Sequence, residues 1–142
     1  MNSQTVWAVT VTLTTLLLAA CGSVSEAEKY SYAGLEFENQ GNLQEAIVEY
    51  DEVIRLDPQY TPAYYNRGNA YLELGQPQRA IEDFDEVIRL DSQFALPYAL
   101  RAWAITLMGR DDDVQKDIER AVELGVDRGS LEAIIERAKS QR

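Results

Sequence analysis

The chain has 142 residues, 46% hydrophobic and 26% charged, which suits one globular domain. It has no histidine and a single cysteine, so Ser-His-Asp and Cys-His catalysis, zinc and most transition-metal sites, and a disulfide within the chain are excluded. The formal net charge of −11 repels nucleic acid and anionic lipid head groups and attracts a basic partner.

The leader comes first. No charged residue occurs between Met1 and Cys21. The apolar run from Val6 to Ala20, diluted by four threonines, is short for a membrane span and fits the apolar core of an export signal. It ends in Leu18-Ala19-Ala20-Cys21, followed by Gly22. That ending resembles the lipobox of bacterial lipoproteins, although the leader lacks the usual opening Lys or Arg. The resemblance implies removal of residues 1–20 and a diacylglycerol on the Cys21 thiol. Gly22 then favours the outer membrane, or the outer face of the plasma membrane in a single-membrane cell, with the domain facing periplasm or exterior. An uncleaved anchor and a buried structural cysteine remain the alternatives. Residues 21–26 form a short tether on the order of 15 Å long, ending in a capping-box pattern, Ser25 with Glu28.

From residue 27 the chain repeats itself every 34 residues. Asp51-Glu-Val-Ile-Arg-Leu-Asp57 recurs as Asp85 to Asp91, and Tyr30/Tyr64, Gly34/Gly68, Gly41/Gly75, Ala46/Ala80 and Ile47/Ile81 match at the same offset. In each unit the apolar spacing of three and four predicts two amphipathic helices. The first runs from Ala27 to about Gln40. The second ends at Leu56, with Asn42 as its expected N-cap and Val53, Ile54 and Leu56 facing inward. Thr61-Pro62 opens the next unit. The units span 27–60, 61–94 and, more degenerately, 95–128. Residues 129–142 are expected to form a capping helix, from Ser130, with Leu131, Ile134, Ile135 and Ala138 on one side.

These positions resemble the tetratricopeptide repeat: Tyr30, Gly34, Phe37, Gly41, Ala46, Tyr50, Val53 and Pro58, then Tyr64, Gly68, Tyr71, Gly75, Ala80, Phe84 and Val87. The resemblance implies an all-α, right-handed superhelix of about three helix-turn-helix repeats plus the cap. It also implies a concave face lined by the first helix of each pair. Carried over, that face holds Glu28, Ser31, Leu35, Glu38 and Asn39, then Pro62, Tyr65, Asn69, Leu72 and Glu73, then Leu96, Ala99, Trp103, Thr106 and Leu107. Tyr65, Leu72, Trp103 and Leu107 are candidate anchors for a ligand, since aromatic side chains concentrate binding energy. Alternatively the cap helix folds over Trp103 and Leu107. Asn66 and Asn69 are candidates for bonding a peptide backbone, and Asn66-Arg67-Gly68 alternatively a surface turn of helix.

Some proteins of this type clamp the carboxylate of a chaperone tail with basic residues. Ser31 and Leu35 stand where Lys and Asn would be needed, Leu96 and Leu100 stand where basic residues would be needed, and Asn66 is the only clamp position filled, so no such clamp is expected. Asp111-Asp112-Asp113 lacks a calcium-loop pattern and fits a helix N-terminus. Glu45, Glu49, Asp51, Glu52, Glu82, Asp83, Asp85 and Glu86 are expected on a solvated outer wall, with Glu52 and Glu86 paired to Arg55 and Arg89. The expected function is a non-catalytic interaction scaffold of the bacterial envelope, without cofactor or metal, holding a protein or peptide in its groove. A pilotin-like assembly factor for an outer-membrane secretin is the alternative. The oligomeric state is open.

Overall fold

The computed structural model describes residues 24–110 and 114–140. The leader, Cys21 and the Asp111–Asp113 run lie outside the described residues. Those described form seven α-helices and no strand: α1 (Glu26–Asn39), α2 (Leu43–Leu56), α3 (Thr61–Glu73), α4 (Pro77–Leu90), α5 (Ala95–Leu107), α6 (Gln115–Glu123) and α7 (Arg128–Lys139). Helices pack in sequence order: α1 with α2, α3 with α4, α5 with α6, and each pair on the next through α2–α3 and α4–α5 contacts. The last helix, α7, packs on α5 and α6.

Local chemistry sets the boundaries. Ser25 and Glu28 close the expected capping box at 3.1 and 2.7 Å. Asn42 occupies the N-cap of α2 without a side-chain cap bond, and Tyr60, not Thr61, is the N-cap of α3. Each first helix ends on a glycine. At Gly75 the backbone turns to φ +68°, a left-handed conformation open to glycine, and the Gln76 N–H reaches back to the Tyr71 carbonyl at 2.8 Å. α7 starts at Arg128, two residues before the expected Ser130, because the Asp127 carboxylate caps it by accepting from the Ser130 N–H at 2.8 Å.

Apolar residues at the 34-residue offset build two core clusters, a smaller one of Ala27, Ala46, Tyr50, Val53 and Ala63 and a larger one that runs from Tyr71 to Ile135. Ala46 and Ala80 have no exposed surface, nor do Tyr50, Val53, Phe84 and Val87. Burying a ring such as Phe84 contributes about 2–3 kcal/mol. The ring sits beside Gly68: a Cβ there would lie 2.8 Å from Phe84 Cε1, so only glycine lets α3 and α4 approach this closely. α7 ends the array as a half-repeat. It buries Leu131, Ile135 and Ala138 and presents Glu132, Glu136 and Arg137 to solvent. That polar outer face is what a terminal unit requires.

Two expectations about the repeated phrase are corrected. Leu56 is 38% exposed, since it lies at the last residue of α2 with no helix over it. Asp83 is not on the solvated wall; it is 3% exposed. The reason is Arg67, described next.

Candidate functional site

Arg67 projects from the middle of α3 toward α4. Its Nε and Nη2 donate to the two Asp83 oxygens at 2.9 and 2.6 Å, and its Nη1 donates to Asp51 of the preceding unit. The arrangement recurs 34 residues on: Arg101 donates to Asp117 at 2.8 and 2.6 Å and to Asp85. Burial works against the Arg67 cation, but the Asp83 and Asp51 carboxylates outweigh it and hold its pKa above the usual arginine value. These clamps join the two helices of a unit to the second helix of the unit before. Asn66-Arg67-Gly68 is thus an inter-repeat joint rather than a surface turn. The signal was in the sequence: Arg67/Arg101, Asp83/Asp117 and Asp51/Asp85 all share the repeat offset.

With the repeats joined, the stripe expected on α1, α3 and α5 can be followed residue by residue. On α1, Leu35 and Asn39 are exposed and Ser31 is buried at 7%. Glu38 is half-buried and accepts from the Tyr50 hydroxyl at 2.7 Å. Burial first, and then Glu38, push the Tyr50 phenol well above its ordinary pKa. Glu28 and Pro62 are exposed. On α3, Tyr65 and Asn69 are half-buried and Glu73 is exposed. The Tyr65 ring leans on Phe94 and Phe84, with centroids 5.1 and 6.4 Å away. On α5, Leu96 is exposed, and Ala99, Trp103 and Leu107 are half-buried.

Leu72 and Thr106 are not groove residues. Leu72 is 7% exposed and belongs to the core, while Thr106 has no exposed surface and donates its hydroxyl to the Ala102 carbonyl at 2.9 Å. Both occupy one position of the repeat, at which the side chain is buried.

The structure brings Tyr65, Ala99 and Trp103 together. With Leu96 they line an open cavity of about 410 Å³, closed on its far side by Leu131 and Ile134 of α7. The lining is almost wholly apolar. The two readings of Trp103 are both partly met: the cap helix packs on α5, yet one side of the indole faces the cavity. The contribution of α7 to the cavity is not legible in the sequence, whose pattern puts Ile134 on the same side as Leu131, Ile135 and Ala138. Ile134 is 51% exposed and forms part of the cavity wall instead. Among the described residues no group of three or more Asp, Glu, His or Cys is placed to hold a metal ion.

Comparison with known proteins gives a consistent picture. Residues 34–75 match a family model described as TPR repeat, and residues 61–94 one described as tetratricopeptide repeat. No curated protein matches the chain. Among solved structures, the second repeat domain of Spaghetti (RPAP3), bound to the HSP90 peptide SRMEEVD, is 27% identical with a TM-score of 0.67, covering 70% of this chain and 93% of that one. The TPR2B domain of yeast Sti1, in a complex with pHsp70, is 24% identical with a TM-score of 0.71, covering 82% and 98%. MamA is 28% identical with a TM-score of 0.67, covering 69% of this chain and 54% of that one. The family match therefore covers residues 34–94, and the all-helical architecture resembles that of solved tetratricopeptide-repeat structures.

Proposed function

We propose that this protein is a membrane-tethered docking module, which holds a segment of another protein in its concave groove and is anchored to the bacterial envelope by a lipid on Cys21. The observation that carries the groove reading is the apolar cavity between α5 and α7. A water-facing surface of this kind, rimmed by aromatic and branched side chains, is what a ligand's apolar anchors need. The second repeat domain of Spaghetti, bound to an HSP90 peptide, provides precedent for peptide capture on this scaffold. The ligand differs here, because Ser31, Leu35, Leu96 and Leu100 stand where a carboxylate clamp would need polar or basic groups.

The anchor reading rests on the leader and on Cys21 at its end. A six-residue tether keeps the groove close to the bilayer, so its partner is itself membrane-bound or comes to the membrane. Two experiments test these parts separately. Cross-linked pull-downs from intact cells should recover a partner with wild type and lose it with Tyr65→Ala plus Asn69→Ala, at unchanged circular dichroism; identical partner lists would remove the groove reading. Mass spectrometry of the mature N-terminus should show acylated Cys21, and an intact Met1 would remove the anchor reading.

A further inference from the structure

The apolar cavity has a charged edge. Beside it lies a smaller depression of about 310 Å³ that shares Trp103 and Ile134 and is bounded by Arg137. The cations of α7 differ in their commitments. Arg128 bonds Glu132 at 3.3 Å and Lys139 bonds Glu136 at 2.6 Å, within their own helix. Arg137 has no ion pair or side-chain hydrogen bond among the described residues. A guanidinium carries a planar fork of donors matched to a carboxylate. The net charge of −11 opposes an acidic ligand at long range, so recognition of one falls to a contact at short range. A local, uncommitted cation next to an apolar cavity would therefore do the selecting. The cavity, at about 410 Å³, lies in the range typical of ligand sites, about 300–1,000 Å³.

We propose that the α5–α7 end of the groove is a subsite for a peptide segment of another protein that carries a bulky apolar side chain next to a carboxylate. The apolar side chain enters the cavity between Trp103 and Ile134, and the carboxylate is taken by Arg137. This rests on the docking reading above and adds to it the chemistry of the ligand and the role of the cap helix.

The test uses the full chain in lipid nanodiscs and three fluorescent peptides in one Ala-Ser frame, bearing Leu-Leu-Glu, Leu-Leu-Gln or Leu-Leu-Lys. Anisotropy titration should rank Glu above Gln by roughly three- to tenfold, the value of a partly exposed charged hydrogen bond, and Lys last. Arg137→Gln should erase that preference, and Ile134→Glu should abolish binding of all three. Both positions are solvent-exposed, and circular dichroism should be unchanged. Equal affinities in wild type, a Glu preference that survives Arg137→Gln, or no peptide binding would each overturn the proposal. So would concentration-dependent dimerisation abolished by Ile134→Glu, which would give the cavity to a second copy. If the partner recovered from cells is lost with Tyr65→Ala plus Asn69→Ala but kept with Ile134→Glu and Arg137→Gln, the docking reading stands and the subsite falls.

Discussion

Replacing Arg67 with methionine removes the clamp while keeping an unbranched apolar stem of similar reach. Asp83 then keeps two carboxylate oxygens that had bonded Arg67 at 2.6 and 2.9 Å, on a side chain only 4% exposed. Stranding one member of a fully buried pair destabilises by about 3–5 kcal/mol. The Arg67 side chain is 18% exposed, so water reaches the gap in part, and the expected loss is about 2–4 kcal/mol. Asp51, at 52% exposure, contributes as a surface partner: Asp51→Asn should cost under about 1 kcal/mol. Arg67→Met combined with Asp83→Leu removes the stranded charge and should recover most of the loss. Arg101→Met should behave like Arg67→Met, because its partners are the same residues one unit on. Urea denaturation followed by far-ultraviolet circular dichroism measures all four variants. A loss below about 0.5 kcal/mol for Arg67→Met, or a double variant no more stable than the single one, would refute the clamp as a structural joint.

Other outcomes follow from packing and titration. Gly34→Ala should destabilise more than Gly68→Ala, because the new Cβ would meet Tyr50 Cε1 at 2.5 Å rather than Phe84 Cε1 at 2.8 Å; overpacking of about 1–3 kcal/mol is offset by about 1 kcal/mol of helix propensity, and equal melting curves would contradict this. Leu72→Ala should lower stability by about 2–4 kcal/mol in urea titration yet leave the recovered partners unchanged, since Leu72 is core. Tyr50 is held neutral by burial and by its bond to Glu38, so its folded pKa lies above the unfolded value of 10.0. Its contribution is complete below about pH 10 and is lost as pH rises further. Tyr50→Phe should therefore move the alkaline unfolding midpoint to higher pH, and an unmoved midpoint would count against that linkage.

Much of the architecture was legible because a period is a strong signal. Tyr50 and Phe84, or Ala46 and Ala80, report the same environment twice, and the boundaries of the units follow from them. What stayed hidden depends on contacts between units. A charged residue on a helix looks solvated unless its partner is known, so Asp83 was assigned to water although Arg67 takes it inside. The groove positions carried over as a set divided for the same reason. Tyr65 and Trp103 reach the cavity, whereas Leu72 and Thr106 are buried. The cap helix contributed more than its pattern promised, because Ile134 completes a surface that exists only once α7 has packed on α5.

The central claim is that ligands dock on the α5–α7 side of the groove and not on the outer wall. The direct measurement is photo-crosslinking in intact cells, with a photoreactive side chain placed at Ile134 or at Val48, which is 59% exposed on α2. A discrete adduct from position 134 and none from position 48 is the predicted result. An adduct from position 48 with none from 134 would contradict the account.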